Sequence, residues 1–153
     1  MKRVALFAVL ASLVAAGTAV AALTPAQYRT KLNTLCRGYT PRLKVQEHAM
    51  TAAQKAKDGQ AYGIALGKLL VLSLAEDARI ETTAVPAAML TEMTPIITTL
   101  KKADAHIRAA LRDAVNGDAK GMAAQLTAAG TVGKGLNAKL DAAGLRDCGS
   151  NQT

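Results

Sequence analysis

Two cysteines, Cys36 and Cys148, are the residues of this chain best suited to covalent chemistry, and the chemistry they point to is a disulfide. No C-x-x-C spacing marks a redox-active pair, and two thiols in an oxidising compartment allow a single intramolecular pairing. Their bridge spans 112 positions. Closing a loop of that size removes about 4–5 kcal/mol of chain entropy from the unfolded state. The pair therefore reads as a structural staple between the two ends of a fold.

The other reactive side chains do not assemble into a reaction. His48 and His106 have Val45 and Ala103 three residues before them, not the glutamates of a di-iron bundle, and no C-x-x-C-H haem-attachment sequence occurs. Met50 and His106 are the one conceivable Met/His haem pair. Helical phase opposes it, placing His48 with Lys44, Thr51 and Lys55, and His106 with Lys102, so both histidines read as solvated. Met89, Met93 and Met122 fall on apolar stripes, where methionine fills gaps, rather than in a thioether copper(I) site. Ser73 and Ser150 lack a nucleophile-elbow context. The carboxylates Glu76, Asp77 and Glu81, with Arg79 among them, read as a solvated helix end. A perturbed acid is the competing reading, because Glu76 continues the face of Leu69 and Leu72. The expectation is a protein without catalytic residues, metal ligands or cofactor.

Charge gives the remaining functional clue. Residues 29–68 hold eight Lys and Arg against Glu47 and Asp58, whereas residues 69–153 carry nine of each sign. The excess belongs to the first half, and Arg37, Arg42, Lys44, Lys55 and Lys57 form the candidate face for an anionic partner. Cell-wall polymer, lipid headgroups and acidic protein segments are the partner classes such a face attracts. Nucleic acid is disfavoured, because only Tyr28, Tyr39 and Tyr62 follow the N-terminal segment as aromatics and no stacking platform forms. A merely solubilising surface is the competing reading.

The elements that position these residues are helical. Residues 1–22 follow the three-part export pattern: Lys2 and Arg3, an apolar run from Val4 to Ala16, and small residues ending at Ala22. The run is shorter than a membrane-spanning helix needs, so cleavage and a secreted or periplasmic chain are expected. That leaves residues 23–153 as one domain without a transmembrane span. This stretch is rich in Ala and Leu and has no alternating strand pattern, which indicates an all-α fold.

Thr24, Pro25 and Gln27 together make a helix start with a capping box, and Tyr28, Leu32, Leu35 and Tyr39 follow as an apolar stripe beside Cys36. Pro41 either kinks this helix or starts another; the kink is the preferred reading. Ile64–Ala75 is apolar on nearly every side and predicts a buried helix, with Gly59, Gly63 and Gly67 marking a tight helix crossing. A third helix begins near Pro86 with Met89, Met93, Ile96, Leu100, Ala103, Ile107, Ala110 and Ala114 as its seam, and Pro95 either bends it or marks its start. Asp118 caps a last helix through Met122, Leu126, Leu136 and Leu140 that ends at Gly144. Short turns at 58–59 and 116–118 make an up-down-up-down four-helix bundle the simplest architecture, with Cys148 folding back onto the first helix.

The first-helix Tyr and Cys, with the terminal Gly144-Leu145-Arg146-Asp147-Cys148-Gly149, resemble a group of secreted bacterial disulfide-stapled helical proteins. That resemblance implies a stapled bundle and no activity. Leu23-Thr24-x-x-Gln27 is similar to the L-T-x-x-Q element of the Spy and CpxP periplasmic chaperones, though present once where that family has two. Three functions therefore compete: a non-catalytic module docking an anionic envelope partner, a periplasmic chaperone, and a carrier of apolar ligands or haem.

Overall fold

The structure, a computed structural model, describes residues 22–152. The export signal expected over residues 1–22 lies, apart from Ala22, outside them.

The first helix, α1, runs from Pro25 to Ala56. It starts at the expected capping box: the Gln27 backbone N–H donates to Thr24 Oγ1 (3.3 Å), and the Thr24 N–H donates to Gln27 Oε1 (2.9 Å). Pro41 sits inside this single helix. Its ring removes one N–H from the helical ladder, and nearby the Thr40 hydroxyl donates to the Cys36 carbonyl at 3.0 Å. The helix ends where Lys57 turns left-handed, at φ 54°. Asp58 then caps α2, Gly59–Thr82, by accepting the Ala61 N–H at 2.9 Å. A 3₁₀ turn at Ala87–Met89 leads into α3, Leu90–Val115, with Pro95 in its interior. Asp118 caps α4, Ala119–Gly133, through the Gly121 N–H. The last helix is in two pieces. Gly135, at φ 77°, breaks it, and α5 follows as Leu136–Ala142.

These elements make an all-α, up-down-up-down arrangement: α1 packs along α2, α3 along α4, and the two hairpins meet through α2 and α3. The core gathers where the hairpins' open ends converge. Tyr28, Leu32 and Cys36 enter it from α1, Ile80 from the end of α2, Met93, Ile96 and Leu100 from α3, and Leu140 from α5. Each fully buried large side chain of this set contributes about 1.5–3 kcal/mol of apolar transfer. In α4, by contrast, no residue is buried.

The C-terminal segment is fastened to α1. Arg29 Nε donates to the Ala143 carbonyl (2.8 Å), and Asn33 donates through Nδ2 to the Gly144 carbonyl (2.9 Å) while its Oδ1 accepts the Asp147 N–H (3.1 Å). Arg37 pairs with Asp147 at 3.2 Å, Leu145 is fully buried, and the Cys36–Cys148 disulfide joins Cα atoms 5.1 Å apart. The terminal Gly-Leu-x-x-Cys-Gly run thus has a mechanical explanation. Gly144 is left-handed (φ 76°) and lies against the Arg29 side chain. Gly149 has no room for a side chain, because the Asp141 carboxylate and the Asn137 carbonyl stand where its Cβ would go.

Two expectations about α2 are corrected. The apolar run from Ile64 to Ala75 is not enclosed: Ala65 and Leu70 are buried, but Ile64 and Val71 are more than half exposed. Among the described residues α2 packs chiefly along α1 and α3, and the side that carries Ile64 and Val71 stays exposed. The glycine stripe does not mark a tight crossing either, since a Cβ built on Gly59, Gly63 or Gly67 would meet nothing within 4 Å.

Candidate functional site

Two features of the fold concentrate polar or exposed groups that the core does not explain. One is a carboxylate joint between the hairpins. Glu76 on α2 and Asp104 on α3 are 5% and 3% exposed, among the least accessible charged side chains described. Asp77 on α2 lies close enough to Asp104 for the two carboxylates to act on each other, and Asp104 Oδ1 is buried with no hydrogen-bond partner among the described residues. Glu81 lies close enough to feel the Asp104 charge, with Lys101 and Arg108 acting against it. Arg108 pairs with Asp104 at 3.3 Å, and the Gln152 side-chain amide donates to Glu76 Oε1.

Burial dominates the titration of this group. Desolvation pushes Glu76 up to about 7, opposed by the Gln152 hydrogen bond. It also raises Asp77, with the charges of Asp104, Glu76 and Glu81 adding to the effect. Asp104 rises through desolvation too, held back by Asp77 and Arg108. The expected solvated helix end is therefore an interior acid cluster. A sequence signal existed, because Asp104 stands four residues after Leu100, in phase with the α3 seam.

The cleft beside these acids is about 160 Å³ and is lined by apolar side chains, among them Leu43, Ile80, Leu100 and Leu140, and by polar ones, among them Ser73 and Asn137. Small-molecule sites usually run from about 300 Å³ upward, so the arrangement suits a joint better than a substrate site. Among the described residues, no group of three or more His, Cys, Asp and Glu is arranged to hold a metal ion.

The second feature is an open groove of about 670 Å³ on the outer side of the first hairpin. Val45 of α1 and Ile64, Val71 and Leu72 of α2 form its apolar walls, with Gly63 and Gly67 between them. Val45, Ile64 and Val71 are 61%, 53% and 57% exposed, the largest apolar exposure on this hairpin. Arg42 stands on the α1 side and Lys68 on the α2 side. The Arg42 guanidinium lies 5.6 Å from the centre of the Tyr39 ring, a cation–π contact that orients it. The groove was missed in the sequence because an all-apolar helix reads as a buried one.

The candidate basic residues do not form one face. Arg42 borders the groove, Lys57 lines a shallow hollow at the hairpin tip with Gln54 and Tyr62, and Lys44 and Lys55 are exposed elsewhere on α1. Arg37 is engaged by Asp147. Lys68 joins Arg42 instead. His48 is exposed as expected, but His106 is half-buried, with Nδ1 2.8 Å from Gln125 Oε1 across the α3/α4 pair. Met89 and Met93 are core, as their phase required.

No family model, curated protein or solved structure matches the chain. Among the described residues, no helix is long and apolar enough to cross a membrane.

Proposed function

We propose that this is an exported, non-catalytic interaction protein whose first hairpin docks an anionic partner of the cell envelope. The observation that carries the reading is the groove: exposed Val45, Ile64 and Val71 lie between two cations, Arg42 and Lys68. Exposed apolar side chains gathered in one groove, rather than scattered singly, are what a docking surface requires. The long-range disulfide and the signal-like N-terminus support export. The likeness to secreted stapled helical proteins points the same way.

The test is retention of the oxidised protein on envelope preparations of its own host as salt is raised. Binding that falls with salt, and is lost when Arg42 and Lys68 are both changed to Gln, supports the reading. Retention unchanged by those substitutions removes it. Arg37 stays out of the set because Asp147 holds it.

The exposed apolar groove also favours a second reading, a periplasmic holdase of the kind suggested by the Leu23-Thr24-x-x-Gln27 likeness. That reading requires suppression of aggregation of an unfolded client at near-equimolar ratio. It fails if light scattering of the client is unaffected. The carrier reading has less support, because the groove is open along its length rather than enclosed.

A further inference from the structure

Resting on the anionic-partner reading, we propose that the occupant of the α1/α2 groove is an acidic amphipathic helix of a partner protein. The shape of the groove decides among the alternatives. Its two walls are α-helices, whose backbone groups are used within the walls themselves, so an extended peptide laid there would leave the N–H and C=O groups on its groove side without partners. A helix brings its backbone already satisfied and offers side chains at i, i+3, i+4 and i+7. The wall residues of α2 run from Gly63 to Leu72, which at 1.5 Å per residue is about 14 Å, or two to three turns of an occupant.

Small amphiphiles suit the groove poorly, because it is too open to enclose most of a ligand's surface. A second copy of this chain presenting the same face would set Arg42 and Lys68 against one another. Those two cations stand on opposite walls, so the complementary helix carries acids on both flanks of its apolar stripe.

The glycines add an independent reason to expect something in the groove. Gly63 and Gly67 each weaken α2 relative to alanine, and nothing in the described structure comes close enough to either to require their smallness. They keep open a gap that larger residues would fill, and a side chain from a partner helix is what fits there. This makes Gly67→Leu the informative variant, since its Cβ meets nothing within 4 Å and the rest of the side chain competes for the gap.

The experiment titrates the oxidised protein into a fluorescein-labelled 16-residue peptide of Leu, Ala and Glu, with Leu at i, i+3, i+4 and i+7 and Glu on both flanks, and follows anisotropy. Controls are a scrambled peptide of the same composition, a version with Lys for Glu, and phosphatidylglycerol vesicles. The patterned acidic peptide is expected to bind saturably, at least tenfold tighter than the scramble or the Lys version. Gly67→Leu and Ile64→Ser are expected to weaken it at least fivefold with unchanged circular dichroism. Arg42→Glu is expected to weaken it and to improve binding of the Lys version. Equal binding of pattern and scramble, or indifference to Gly67→Leu, overturns the proposal. Binding to the vesicles without the peptide overturns the helical partner and leaves the anionic-partner reading standing, whereas loss of all anionic binding removes both.

Discussion

Folding stability should fall as pH rises from about 5 to about 8, the reverse of the acid sensitivity most domains show, and Glu76 is the residue that reports it. Its carboxyl sits at about 7 in the folded protein against an ordinary 4.5. A carboxylate raised on folding means the native state holds more protons than the unfolded one between those two values. Its stabilising contribution is therefore complete below about 4.5 and is lost as pH climbs through 7. At about 1.4 kcal/mol per pH unit of difference, the ionised form of Glu76 costs the fold about 3 kcal/mol. Asp77 and Asp104 shift in the same direction and steepen the effect. Asp141, the one acid with a lowered value, loses its contribution only at pH below the ordinary 3.8, outside this window.

Glu76→Gln keeps an acceptor for the Gln152 amide and removes the titration. Urea unfolding followed by far-UV circular dichroism should then show the variant close to wild type at pH 5 and more stable by about 2–3 kcal/mol at pH 8. For a domain of this size, 1 kcal/mol corresponds to roughly 3–5 °C in Tm. A wild-type stability that is flat or rising between pH 5 and 8, or a Glu76→Gln effect equal at both ends, refutes the reasoning.

Gly67→Ala should stabilise α2 by about 0.5–1 kcal/mol, read as a higher urea midpoint at unchanged slope, because its Cβ meets nothing within 4 Å. Replacing Cys36 and Cys148 together by Ser is expected to cost about 2–5 kcal/mol and to speed hydrogen exchange first at residues 143–149, the segment that the bridge holds against α1. Asn33→Ala removes two hydrogen bonds to that segment, at Gly144 and Asp147, and should cost about 1–2 kcal/mol in thermal unfolding while leaving the hairpin tips unaffected. Gly144→Ala should be as damaging as Asn33→Ala or more so, since it combines a left-handed backbone with contact against Arg29.

Much of this fold could be read from residue types. The Thr24–Gln27 capping box, the Asp58 and Asp118 caps, the α3 stripe and the Cys36–Cys148 pairing all appear where local chemistry put them. What local chemistry does not contain is how many neighbours a helix has. The apolar run of α2 implied enclosure, yet the side away from α3 lies open and leaves Ile64 and Val71 exposed. The acids erred in the opposite direction: Glu76, Asp77 and Glu81 looked solvated because Asp104 and Gln152, the groups they meet, are distant in sequence. Arg37 is a third case, its role fixed by an aspartate 110 positions away.

The fastening of the C-terminal segment to α1 also sets an order of events. Each hairpin is made of contacts local along the chain and can form as soon as its own residues are available. The core that joins them cannot, because Tyr28, Leu32 and Cys36 wait for Leu140, Leu145 and Cys148, which are among the last residues to arrive. During synthesis Cys36 has no partner thiol until Cys148 follows 112 positions later, so the first thiol stays open to any oxidant or folding factor at hand until the chain is nearly complete.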